Sequence, residues 1–88
     1  MNGWTIIFEK RSLAEAKKLR RANQWKRVIL LLDEIRANPF QNPPPFEKLK
    51  GEFDGMYSRR INIQHRLVYQ VNKEERIVRV LQMWTHYE

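Results

Sequence analysis

The chain has 88 residues, 42% of them hydrophobic, and a formal net charge of +7. This length and composition predict one compact domain, residues 1–88, and argue against a disordered chain. The absence of cysteine excludes disulfide bonds and thiolate metal sites, and the longest apolar run, residues 28–32, is far short of a membrane span. We therefore expect a cytoplasmic protein that does not associate with membranes. The charge favours an anionic partner, either nucleic acid or an acidic protein.

The N-terminal half predicts a strand followed by two helices. Residues Trp4–Phe8 are β-branched and aromatic, as expected of a first strand. The stretch SLAE at Ser12–Glu15 has the pattern of a helix capping box, so the first helix is expected to start there. The second helix is predicted over Gln24–Ala37 and ends before Pro39. Trp25 lies at helical spacing from the apolar residues of this helix and is expected in the core.

The C-terminal half predicts an irregular segment and three strands. Residues 38–55 contain all four prolines and two of the three glycines, and a loop of this length often has a function. The strands are predicted at Met56–Asn62, Arg66–Val71 and Ile77–Trp84. The expected fold class is α+β: an N-terminal strand, a two-helix hairpin, then three antiparallel strands in one sheet with the helices on one face.

Alternation within these strands predicts where two arginines lie. Arg60 falls on the polar side of its strand, with Ile61 and Ile63 on the other side, and Arg66 falls on the polar side of the next strand. For the apolar sides to share a face, the turn must have odd length, most simply Ile63–His65. This register brings Arg60 and Arg66 together, where they repel each other unless an anion such as phosphate lies between them.

Three stretches together resemble one known family. PFEKLKG at residues 45–51, YSRRINIQHRLVY at residues 57–69 and a His-Tyr pair at residues 86–87 occur in an order and spacing similar to the YoeB/Txe branch of the RelE superfamily. Those proteins are bacterial toxins that cleave messenger RNA on the ribosome and are neutralised by an antitoxin. The resemblance implies a RelE-like fold and a ribosome-dependent endoribonuclease that acts in the ribosomal A site. The implied partners are the ribosome, mRNA and an acidic YefM/Axe-like antitoxin, and a homodimer is left open.

The resemblance also implies the chemistry and the residues that perform it. Cleavage would be metal-free general acid–base catalysis without a cofactor, in which the ribose 2′-hydroxyl attacks the phosphate. Glu47 corresponds to the base, Arg66 to the arginine that stabilises the phosphate and His86 to the general acid. Tyr87 corresponds to the neighbouring aromatic residue that orients RNA or the leaving group. The supporting cations that bind RNA phosphate would be Lys50, Arg59 and Arg60.

Alternatives to this assignment stay open at the level of the residues. A ParE-like toxin that binds DNA gyrase without cleaving RNA, or a small basic RNA-binding protein, would not need the Glu47, Arg66 and His86 set. His65 is expected to be structural, whereas Trp84 is compatible with either base stacking or packing. In addition, Glu88 extends the chain past the His-Tyr pair and adds negative charge there, which favours a protonated imidazole.

Overall fold

Two helices pack on one face of a five-stranded mixed sheet in the computed structural model, which describes residues 3–84. The order is β1-β5-β4-β3-β2, with β1 parallel to β5 and the other neighbours antiparallel. This arrangement confirms the predicted α+β class and the helix hairpin. No helix in this part of the chain is long and apolar enough to cross a membrane. The elements are, in chain order, β1 Thr5–Phe8, α1 Lys10–Arg21, α2 Trp25–Ala37, β2 Glu47–Lys48, a 3-10 turn Gly51–Phe53, β3 Met56–Arg60, β4 Arg66–Asn72 and β5 Ile77–Gln82.

The sheet has one more strand than the sequence predicts. β2 lies inside the predicted irregular segment, where Glu47 pairs with Ser58 and Lys48 pairs with Tyr57 of β3. A strand of two residues is too short to produce an alternating pattern, so the sequence contains no signal for it. Its consequence is local, because it places the backbone of Glu47 beside Ser58 of β3.

One hydrophobic cluster joins the helices to the inner face of the sheet. Trp25 packs against it at the start of α2, as predicted. Burial of these side chains is the main stabilising contribution in a chain without disulfide bonds. The buried members of the cluster are Ala16, Leu19, Val28, Leu31, Leu32, Ile35, Ile61, Leu67, Tyr69, Val78, Val80 and Met83.

The predicted capping box at the start of α1 is wrong. The helix begins at Lys10, after Glu9, so Ser12 lies inside the first turn, where its hydroxyl donates to the Glu9 carbonyl at 2.8 Å. Glu15 is buried and does not cap the helix. Its carboxylate instead accepts a hydrogen bond from the backbone N–H of Met83 at 2.9 Å. This bond ties the chain just beyond β5 to the middle of α1.

The register of β3 and β4 confirms the predicted meeting of the two arginines. Arg60 and Arg66 are direct partners across the two strands. The turn between them covers residues 61–65, longer than predicted but still odd in length. The turn begins before the predicted residue 63 because the Asn62 side-chain oxygen accepts hydrogen bonds from the backbone N–H groups of Gln64 and His65. The prediction that Ile63 lies on the apolar side is therefore wrong, because at the turn it is 86% exposed.

The Glu15 bond to Met83 gives a prediction about stability. Glu15→Ala should lower the free energy of unfolding by about 1–3 kcal/mol, because it leaves a buried backbone N–H without an acceptor. Glu15→Gln keeps an acceptor oxygen and should lose less. Chemical unfolding followed by circular dichroism measures both values. The control, Lys17→Ala on the exposed side of α1, should stay within about 0.5 kcal/mol of the wild type. An equal effect of Glu15→Ala and Lys17→Ala would contradict the role assigned to the bond.

Candidate active site

A small cleft opens on the face of the sheet opposite the helices. Leu67 and Tyr69 of β4 point into the core, so Arg66, which alternates with them, points to the other face. The volume of the cleft is about 220 Å³. Its lining residues come from β2, the segment before it, β3 and β4, and they are Pro45, Phe46, Glu47, Ser58, Arg60 and Arg66.

Strand pairing determines which side chains meet in the cleft. Glu47 lies opposite Ser58, and Arg60 lies opposite Arg66. Ser58 and Arg60 are two residues apart on β3, so they point to the same face. Three neighbouring strands thus contribute a carboxylate, a hydroxyl and two guanidinium groups to one place. Ser58 was not predicted as a site residue, although it lies two positions before Arg60 and so points to the same face of β3.

Arg66 is held by two of these neighbours. Its Nη1 lies 3.3 Å from the Glu47 Oε1 in a salt bridge and donates to the Ser58 hydroxyl at 3.0 Å. The Arg66 side chain is only 22% exposed, whereas that of Glu47 is 58% exposed. The carboxylate is therefore accessible from solvent, while the guanidinium is fixed against the sheet. The structure thus brings together two of the three residues predicted to perform the chemistry.

The cleft has a net positive charge. Within residues 3–84, Arg60 forms no salt bridge, and its side chain is exposed beside that of Arg66. Two guanidinium groups against the one carboxylate of Glu47 leave one positive charge, which matches the single negative charge of a phosphodiester. Guanidinium groups suit this ligand because their planar donors match the geometry of phosphate oxygens.

The other two predicted phosphate-binding residues lie elsewhere. Lys50 is exposed at the start of the 3-10 turn and is not among the residues that line the cleft. Arg59 is 1% exposed, which overturns its assignment to RNA binding. Its guanidinium donates four hydrogen bonds inside the protein, to the Tyr69 hydroxyl at 2.9 Å and to the backbone carbonyls of Pro39, Gln41 and Pro44 at 3.0, 2.8 and 2.6 Å. Alternation with Arg60 is the signal that places Arg59 on the inner side of the strand.

Tyr69 completes this buried set. Its hydroxyl accepts from the Arg59 Nε and donates to the Pro39 carbonyl at 2.8 Å. Burial raises the pKa of Tyr69 above its ordinary value of 10.0, and the adjacent Arg59 charge opposes this increase without cancelling it. The phenol therefore stays protonated at neutral pH and remains a donor.

The raised pKa predicts how Tyr69 affects stability at high pH. Above about pH 10 the unfolded chain loses the phenolic proton while the folded chain keeps it, so the free energy of unfolding should fall as the pH rises. Below that pH this group should contribute no pH dependence. Urea unfolding at pH 8 and pH 10.5 should show a smaller fall for Tyr69→Phe than for the wild type. An equal fall in the two proteins would contradict the effect of burial.

The end of the described chain is anchored beside β4 and the β3–β4 turn. Gln82 of β5 pairs with Val68 of β4, and Val68 pairs with Ser58 of β3, so the last residue of β5 lies in the same row across the sheet as Glu47. Trp84 then stacks on His65, with ring centroids 4.1 Å apart.

His65 is buried, as its predicted structural role requires, and it directly precedes Arg66. Trp84, which sequence reasoning left undecided, packs against the core with part of its ring exposed. The predicted acid His86, its neighbour Tyr87 and the additional Glu88 lie outside the described residues.

Comparison with known proteins identifies the family. Residues 8–87 match the family model described as YoeB-like toxin of bacterial type II toxin-antitoxin system. The chain is 40% identical over 62 residues to Toxin YoeB of Mycobacterium bovis, a match that covers 70% of this chain and 71% of that protein. The chain belongs to the YoeB-like toxin family.

Solved structures of YoeB-like toxins share its fold over almost the whole chain. A YoeB/ParE toxin from Agrobacterium tumefaciens superposes with a TM-score of 0.85 at 28% identity, covering 94% of this chain and 99% of that one. Two structures from Staphylococcus aureus, a YoeB-YefM complex and a YoeB dimer, give TM-scores of 0.79 and 0.80 at 32% and 31% identity. Both cover 96% of this chain and 98% of the other.

The facing arginines predict an unusual effect of removing a charge. Arg60→Gln should raise the free energy of unfolding by about 0.2–1 kcal/mol, because it removes the repulsion between like charges directly opposite each other in a sheet. The gain should shrink as salt is added, since ions screen the repulsion. Arg27→Gln, on the exposed side of α2, changes the net charge equally and is the matched control. If thermal unfolding shows Arg60→Gln to be no more stabilising than Arg27→Gln, the two arginines do not repel each other.

Proposed function

We propose that this YoeB-like toxin is an endoribonuclease that cleaves mRNA in the ribosomal A site by metal-free acid–base catalysis. The observation that supports this most strongly is the contact between the Glu47 carboxylate and the Arg66 guanidinium in a cleft that Arg60 also lines. Cleavage of RNA by its own 2′-hydroxyl requires a base next to a site that holds the scissile phosphate. The cleft provides a carboxylate next to two guanidinium groups that could hold a phosphate.

In the proposed reaction the phosphate replaces Glu47 as the partner of Arg66. Arg66 and Arg60 then stabilise the charge that develops on the non-bridging oxygens, and the released Glu47 carboxylate takes the proton of the 2′-hydroxyl. The 2′-oxygen forms a bond to phosphorus as the bond to the 5′-oxygen breaks, and His86 protonates that departing oxygen. The products are a 2′,3′-cyclic phosphate and a free 5′-hydroxyl. Tyr87 is proposed to orient the RNA or the leaving group.

The proposed role of His86 rests on its place in the sequence, which corresponds to the general acid of the family that the chain resembles. Trp84 is stacked on His65, the neighbour of Arg66, so the described chain ends beside the β3–β4 turn. His86 follows two residues later in the sequence. An imidazole with a pKa near 6.5 is a suitable proton donor at neutral pH.

The ribosome and an antitoxin are the proposed macromolecular partners. The cleft is small enough that the intact ribosome, in the cytoplasm, would have to supply most of the substrate positioning. The net charge of +7 favours both ribosomal RNA and an acidic antitoxin. Because the similar protein from S. aureus is solved as a YoeB-YefM complex and also as a dimer, we propose a YefM/Axe-like antitoxin for this chain and leave a homodimer as a further proposal.

Mapping of mRNA ends in a purified translation system tests the function. Wild-type protein should cut mRNA at codons in the A site, and Glu47→Gln, Arg66→Ala and His86→Gln should each lower the single-turnover rate by about a hundredfold or more. Lys17→Ala, on the exposed side of α1, should cut at the wild-type rate.

Two outcomes would change the proposal. Normal cutting by His86→Gln would remove His86 as the acid while keeping the nuclease. Inhibition of DNA gyrase by the wild type, without any mRNA cuts, would favour the ParE-like alternative over the nuclease.

A further inference from the structure

The buried guanidinium of Arg59 binds an irregular segment of the chain, residues 39–44. Three backbone carbonyls, from Pro39, Gln41 and Pro44, converge on it from a segment that has no regular secondary structure. The Tyr69 hydroxyl bonds both to Arg59 and to the Pro39 carbonyl. We call Arg59, Tyr69 and these three carbonyls the Arg59 clamp.

The chemistry of guanidinium explains why arginine suits this position. A planar group with five N–H donors can reach acceptors in several directions, whereas lysine offers three donors from a single nitrogen. Burial of an unpaired charge is strongly unfavourable, so the four hydrogen bonds of Arg59 are needed to offset the loss of its hydration. The bonds also satisfy carbonyls of an irregular segment that has no strand or helix partner for them.

The clamp lies directly before Glu47 in the chain. Pro44 is bound by Arg59, and the Phe46 ring lies 4.9 Å from the Arg59 Cζ and packs edge-on against Tyr57 at 5.8 Å. Glu47 therefore follows a fixed residue. On its other side, Leu49 is buried and its N–H donates to the Met56 carbonyl at 3.0 Å.

β2 alone cannot hold the carboxylate in place. It has two residues and lies at the edge of the sheet, so few ladder hydrogen bonds fix it, and the Glu47 side chain is itself more than half exposed. The residues that flank it therefore contribute to its position relative to Arg66. On one side those residues are fixed by the Arg59 clamp.

We infer that Arg59, together with Tyr69, is a positioning residue for Glu47. The Arg59 side chain does not line the cleft, because it points to the opposite side of β3 from Ser58 and Arg60. It acts through Pro44 and Phe46, which set where the β2 backbone starts and so where the carboxylate lies over Arg66. This inference rests on the proposed nuclease function, because it assigns Arg59 a part in that reaction.

A double-mutant cycle tests the inference. Arg59→Lys should lower kcat by about ten- to a hundredfold with KM changed by less than about threefold, because a misplaced base affects the chemical step. In the Glu47→Gln background the same Arg59→Lys change should lower the rate by less than about twofold, since the group that it positions is gone. Equal losses in the two backgrounds would overturn the positioning role.

Two further variants separate positioning from a general loss of stability. Tyr69→Phe removes only the hydroxyl group from the clamp. It should also lower kcat, but by a smaller factor than Arg59→Lys does. Val28→Ala trims the core on α2, eleven residues before Pro39, and should lower the midpoint of urea unfolding without changing kcat. A fall in kcat for Val28→Ala as large as that for Tyr69→Phe would overturn the inference.

Hydrogen exchange gives a readout that does not depend on cleavage. Arg59→Lys should raise exchange at the Leu49 amide by about tenfold or more and leave the amides of α1 unchanged, because only the clamped segment is released. Unchanged exchange at Leu49 would overturn the clamp even if cleavage falls. If the wild type cuts no mRNA while the exchange result is as expected, the nuclease proposal fails and the structural role of Arg59 stands.

Discussion

The meeting of two guanidinium groups across β3 and β4 is the constraint on which the cleft depends. Arg60 and Arg66 are direct partners in the ladder, so their charges lie on one face of the sheet at close range. A fold could avoid that repulsion by a shift of one residue, but such a shift would turn Leu67 and Tyr69 out of the core. Burial of the apolar side therefore keeps the arginines together. The single negative charge of the Glu47 carboxylate can offset one of the two positive charges.

Arg59 and Arg60 are neighbours on β3, but their side chains lie on opposite faces of the sheet and have different proposed roles. Arg60 faces the cleft, where its charge is available to an anion, whereas Arg59 faces inward and organises the segment that leads to Glu47. The alternation of a single strand thus supplies both the proposed phosphate-binding group and a support for Glu47, the proposed base. This economy suits a chain of 88 residues, which has little room for a separate supporting layer.

Much of this arrangement follows from the sequence, because it depends on local patterns. Alternation in two strands is enough to bring Arg60 and Arg66 together, and helical spacing is enough to place the partly buried Trp25 against the core. The remainder depends on contacts between residues far apart in the chain. The carbonyls bound by Arg59 come from residues 15 to 20 positions earlier, and Glu15 binds the N–H of Met83, just beyond β5. No local pattern encodes such contacts.

In the proposed reaction, Glu47, Arg66 and His86 act on one RNA linkage. A structure of the ribosome complex with mRNA that carries a 2′-O-methyl group at the cleavage site tests it most directly, because the blocked nucleophile preserves the linkage. We expect the Glu47 carboxylate within about 4 Å of the 2′-oxygen, Arg66 on the phosphate and the His86 imidazole near the 5′-oxygen, close to hydrogen-bonding reach. A complex in which the scissile phosphate lies away from the cleft, or in which Glu47 and His86 face different parts of the RNA, would contradict it.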